Sequence, residues 1–174
     1  MDLRTYQRTL SGLIRDDYSP GPDDDAYFRQ IARSEKLEVT REIVLWWRQM
    51  SLERACVLTS RALKAFGLFE AETETFVNRY RFSPFVELLS DEFLEWLSGH
   101  RVELLATVAC FERALIRSKR GSSEPVSIQW GHNPYVVFDA LLNGGDLSEI
   151  AQEGNYTTVV SPDLPGGFRV YSEQ

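Results

Sequence analysis

Lys119-Arg120-Gly121-Ser122-Ser123 is the stretch that divides this chain. Upstream of it, apolar residues recur at helical spacing; downstream come short alternating segments bounded by glycine, proline and asparagine. The charge changes at the same point. Residues 1–120 carry 19 acids and 18 bases, whereas residues 121–174 carry seven acids and one base, Arg169. The pattern predicts an α+β protein: a mostly α-helical body over residues 1–120, and a small C-terminal antiparallel β-sheet in a β-rich module over residues 121–174. Such a layout suggests a binding or adaptor protein more than an enzyme.

Composition bounds the partners. The chain has 174 residues and a net charge of −7, enough length for a core without disulfides or metals. Nucleic-acid binding needs clustered Lys and Arg, and the bases here are dispersed among acids. Cys56 and Cys110 both fall in apolar helical stretches and read as small buried hydrophobes of a reducing compartment. The chain begins Met-Asp-Leu-Arg without a secretory apolar region, and no apolar run approaches the roughly 20 residues that span a bilayer. The expectation is a cytoplasmic protein with no membrane partner.

Within the body, Leu3 to Arg15 reads as a first helix, stopped by Ser19-Pro20-Gly21-Pro22. Asp23, Asp24 and Asp25 precede the next helix, one as N-cap and the others facing its dipole. Thr40 to Phe66 reads as one long helix. At about 100° per residue, Val44, Trp47, Ser51, Ala55, Leu58 and Ala62 share a charge-free stripe that should face the core. Trp46 instead shares a sector with Glu42, Gln49, Glu53 and Lys64. It is either covered by another part of the chain or lies at a partner contact, and Trp46 with Met50 are the candidate partner-interface residues. Further helices are expected over Phe69 to Phe82, over Phe85 to Leu97 with Pro84 in its first turn, and over Val102 to Ile116.

In the C-terminal module, Val126 to Trp130 alternates and reads as a strand. Asn133-Pro134 offers an N-cap and an N1 proline, and Asn143-Gly144-Gly145 a stop, so residues 134–142 read as a short helix, with a strand through Val136-Val137-Phe138 as the alternative. Tyr156 to Ser161 and Phe168 to Ser172 read as two strands of a hairpin.

Signatures of catalysis are thin. His100 and His132 each sit beside a glycine, without ligands at metal spacing. Glu92 and Glu95, or Glu70 and Glu74, read as solvated helix faces. No phosphate-binding or nucleophile motif occurs. The expectation is therefore a protein without a catalytic set, metal or cofactor. What remains is recognition. A small sheet with a free edge can accept an extended peptide as an added strand, along Val126 to Trp130 or along Phe168 to Tyr171. Val126, Ile128, Trp130, Phe168, Val170 and Tyr171 are the candidate peptide-binding residues.

From Val39-Thr-Arg-Glu-Ile43 through Ala62-Leu63-Lys-Ala-Phe66, Phe76-Val-Asn-Arg-Tyr80, Phe93-Leu-Glu-Trp-Leu97 and Phe111-Glu-Arg-Ala-Leu115, the chain resembles the helical N-terminal region of HvfC-like proteins. More broadly it is similar to the partner proteins of multinuclear non-haem iron oxidative enzymes. Its small size and short β tail resemble the partner subunits of ribosomal peptide natural-product (RiPP) pathways, such as those of 3-thiaglutamate and methanobactin. The resemblance implies a division of labour. An iron-dependent oxidative enzyme of TIM-barrel fold would bind the iron and oxidise a cysteine of a precursor peptide. This chain would hold the precursor's leader and dock on the enzyme as a heterodimer. The alternative is a DNA-binding transcriptional regulator built on the helical body, against which the acidic tail counts.

Overall fold

The computed structural model describes residues 2–79, 86–152 and 154–173. The protein is α+β, with eight α-helices and one three-stranded antiparallel sheet among these residues. No helix among them is long and apolar enough to cross a membrane. The expected proline-initiated turn at Pro84 lies outside the described residues. The chain divides into two compact units, residues 1–50 and 51–174. The change in character at Gly121 is thus a change of secondary structure inside the second unit, where the last helix of the body packs on the sheet.

The first unit holds α1 (Leu3–Arg15), α2 (Ala26–Ala32) and most of α3 (Glu35–Ala55). Asp25 is the N-cap of α2, its carboxylate accepting from the Tyr27 amide at 2.9 Å, as the Asp23-Asp24-Asp25 run predicts. Leu13, Phe28 and Leu37 form a small core, with Tyr6, Leu10 and Ile31 packed around it. The end of α1 is closed by a charge. Asp16 takes the left-handed conformation (φ 59°), and the Arg41 guanidinium donates to the Leu13 carbonyl at 2.7 Å and to Asp16 Oδ1 at 2.7 Å. A cation on the last carbonyls of a helix complements its dipole.

The long helix expected over Thr40 to Phe66 is broken. It ends at Ala55, Cys56 leaves helical geometry (φ −119°, ψ 66°), and α4 runs over Val57–Ala65. The helical phase fails with it. Trp47, expected in the core, is 55% exposed, about as much as Trp46 at 56%; Leu52 before the break and Cys56 at it are buried instead. A helix start leaves its first amides without partners. Here a buried carboxylate supplies them. Glu112 Oε1 accepts from the Leu58 amide at 2.9 Å and Oε2 from the Thr59 amide at 2.8 Å. Burial pushes the Glu112 carboxyl above its ordinary pKa, opposed by the amides of Thr59, Leu58 and Val57. The Thr59 hydroxyl is buried near the same carboxylate but outside hydrogen-bond geometry.

Glu112 sits on α7 (Glu103–Lys119), the central helix of the second unit, which packs on α4 and α6 (Val86–Leu97), while α5 (Phe69–Arg79) packs on α4. Its neighbours in sequence are as fully used. Arg113 and Arg117 both grip Asp91 of α6, with Nε to Oδ1 distances of 3.1 and 2.8 Å and Nη2 to Oδ2 distances of 3.2 and 2.9 Å. Phe111 is buried and stacks on Phe138 (4.7 Å between centroids) while meeting Trp130 and Phe168 edge-on. This aromatic cluster joins α7 to three C-terminal elements: β1 (Val126–Trp130), α8 (Pro134–Asn143) and β3 (Phe168–Glu173).

Residues 134–142 are helical, with Asn133 accepting from the Tyr135 amide at 3.0 Å and Gly144 closing the helix at φ 76°. Arg61 of α4 donates to the Leu141 and Leu142 carbonyls, both at 3.1 Å, and so satisfies the far end of α8. The sheet order is β1-β2-β3, with β2 (Asn155–Val160) in the middle and both pairings antiparallel.

Two stability predictions follow from these charges. Glu112→Ala strands two amides beneath α4 and should cost about 2–4 kcal/mol in urea unfolding, with Glu112→Gln costing less. The guanidinium groups of Arg117 and Arg113 hold the Asp91 carboxyl down at about 2. A carboxyl depressed on folding stabilises above its unfolded pKa and loses that contribution as pH falls. Between about pH 4 and pH 2 the protein should therefore lose about 1 kcal/mol after solvent screening, and Asp91→Asn should flatten that part of a pH-dependent melt.

Candidate peptide-binding site

β1 and β3 are the outer strands, so each presents one unpaired edge among the described residues. Which main-chain groups face outward follows from one hydrogen bond. The Ser161 amide donates to the Gly167 carbonyl at 3.0 Å. Hydrogen-bonded and non-hydrogen-bonded pairs alternate along an antiparallel ladder. With Val159 opposite Arg169 and Thr157 opposite Tyr171, the main-chain groups of Arg169 and Tyr171 turn toward β2. Those of Phe168, Val170 and Ser172 turn to the free edge. On the other side of β2, Ile128 lies opposite Thr158 and Trp130 opposite Tyr156, and these pairs bond inward. Only Ser127 and Gln129 then face outward within β1. The β3 edge therefore offers the longer row of free donors and acceptors.

The candidate residues separate accordingly. Ile128 and Trp130 are buried, and the Trp130 indole donates to Thr158 Oγ1 at 2.9 Å. Their side chains belong to the core rather than to an open surface. Phe168 and Val170 are half-buried on the same face of the sheet, while Val126 on that face remains exposed. Tyr171 points to the opposite face, 47% exposed, in the row that holds Thr157 and Gln129. α7 packs against β1 and β2, which leaves β3 the less covered strand.

Two grooves flank α8, and neither is announced by a sequence motif. One, of about 440 Å³, is lined by Val136, Asp139, Asp146, Glu149, Ile150 and Tyr156. Tyr156 is paired in register with Ser172, so this groove adjoins the C-terminal end of β3. Its carboxylates are partly engaged: Asp139 accepts from Asn143 at 2.7 Å, and the Ser148 hydroxyl and amide hold the Asp146 carboxyl below its usual range. The other groove, of about 480 Å³, is lined by Arg61, Lys64 and the Leu142-Asn143-Gly144-Gly145 turn. Composition indicated the acidity of residues 121–174; only the fold shows where three of those acids converge.

Among the described residues no group of three His, Cys, Asp or Glu side chains is placed to hold a metal ion. The His100 ring lies against Glu72 (3.4 Å) and accepts from the Val102 amide at 3.1 Å, a structural role at the start of α7. Cys56 is buried and Cys110 half-buried. Burial raises both thiols above their ordinary pKa, which leaves them poor nucleophiles.

Trp46 and Met50, the candidate interface pair, lie on α3. Trp46 is exposed and meets Trp47 edge-on at 5.6 Å, while Met50 is half-buried. Val39 and Ile43, on the same helix, are also exposed and lie off the charge-free stripe. Comparisons with protein-family models, with curated proteins and with solved structures found no match.

The contrast between the tryptophans is measurable. Trp130→Ala should cost about 3–5 kcal/mol in chemical denaturation, whereas Trp46→Ala should cost under about 1 kcal/mol.

Proposed function

We propose that this protein is a non-catalytic binding subunit that takes an extended peptide as an added strand beside β3. The observation that carries this reading is the row of outward main-chain groups at Phe168, Val170 and Ser172, on the outer strand that α7 covers least. Main-chain hydrogen bonds supply affinity in strand addition, and alternate side chains supply specificity. In the terms of the resemblance, the peptide is the leader of a ribosomally made precursor. The protein presents it to an iron-dependent oxidative enzyme of TIM-barrel fold that modifies a precursor cysteine. The iron belongs to that enzyme and this chain needs no cofactor of its own. The setting is the cytoplasm. The seven acids and single base of residues 121–174 favour a peptide carrying positive charge over DNA.

Proline scanning of β3 tests the mechanism. Val170→Pro removes a donor from the free edge and leaves the ladder to β2 intact. It should weaken binding of a synthetic leader by at least about tenfold in calorimetry, while a cooperative thermal melt shows that the variant still folds. Tyr171→Pro removes an internal ladder bond and should lower the melting temperature instead. Undiminished leader binding by a folded Val170→Pro variant sinks strand addition at β3. Co-elution of the protein with the iron enzyme on gel filtration tests the partnership separately.

A further inference from the structure

α3 carries an apolar seam that peptide binding leaves unexplained. Val39, Ile43 and Trp46 are each about half exposed and Met50 is half-buried. Their separations are four, three and four residues, the 3.5-residue repeat with which two helices pair. A helix is therefore the shape that fits.

The seam also specifies which helix. Its spacing reads the same in both directions. A second α3 laid antiparallel about a two-fold axis between Val44 and Leu45 sets Ile43 against Trp46 of the other copy. The same operation sets Val39 against Met50, so smaller side chains face larger ones at each layer. One step further along the seam are Lys36 at one end and Glu53 at the other. Both are exposed, and Glu53 also pairs with Lys64. The two-fold brings Lys36 opposite Glu53 at each end, where opposite charges attract. Parallel pairing would instead stack Trp46 on Trp46 and Lys36 on Lys36. We propose that a second copy of this chain docks on α3, antiparallel, through Val39, Ile43, Trp46 and Met50, to give a two-fold homodimer.

The dimer is a weak one. Four partly exposed side chains per copy bury roughly 800 Å² in all, short of the about 1,200 Å² of stable complexes.

Sedimentation velocity on the full chain, from about 5 μM to about 1 mM, reads this directly. The expected result is a shift from the 20.0 kDa monomer toward the dimer as concentration rises. Ile43→Glu should stay monomeric throughout, and its circular dichroism melt should match the parent because Ile43 is exposed. Lys36→Glu, which faces like charge with like, should weaken the dimer by at least about threefold. In a Cys110→Ser background, oxidising a mixture of Val39→Cys and Met50→Cys proteins should cross-link them, while neither does so alone. A monomer at the highest concentration overturns the proposal and leaves the seam to a foreign helix. So does a dimer that survives Ile43→Glu in a folded variant, or cross-linking of Val39→Cys with itself.

Discussion

The Glu112 carboxylate, buried beneath the first turn of α4, holds the second unit together. A buried charge is costly unless hydrogen bonds meet it. Here the Leu58 and Thr59 amides do so. Those amides are free only because the chain leaves helical geometry at Cys56. The break in the helix and the buried acid thus require each other. α7 in turn carries Phe111 to the C-terminal aromatic cluster and Arg113 to Asp91. Three successive residues on one helix orient α4, the sheet and α6.

Local chemistry made much of this fold legible. α1 has the expected bounds because its spacing is regular and Ser19-Pro20-Gly21-Pro22 stops anything longer. α8 was readable from Asn133-Pro134 and Asn143-Gly144, since cap and stop are short-range devices. The break at Cys56 was not. Ala55-Cys56-Val57 contains no proline or glycine, and the group that stabilises the break arrives from Glu112, more than fifty residues away in the chain. A single helical phase run through both helices puts Trp47 in the core, whereas the structure leaves it 55% exposed.

The same distinction governs the candidate site. Alternation showed that Val126 to Trp130 and Phe168 to Ser172 are strands. It could not show which strand has core-bound side chains or which main-chain groups remain free. Those depend on register and on the phase of the hydrogen-bond ladder, which the Ser161 to Gly167 bond marks. Ile128 and Val170 look alike in sequence, yet one bonds inward to β2 and the other faces out. The convergence of Asp139, Asp146 and Glu149 depends likewise on the placement of α8 against β2.

The connections of the sheet impose an order of assembly. β2 and β3 are joined by residues 161–167, while β1 reaches β2 across residues 131–154, which include α8. Closing the longer loop costs more chain entropy. The β2–β3 hairpin can form on the order of microseconds, before β1 covers its other side. For that interval β2 itself is an open template for wrong pairing. Asp146, Glu149, Glu153 and Asp163 lie on either side of β2 in sequence, the flanking positions at which charge disfavours pairing of one exposed strand with another.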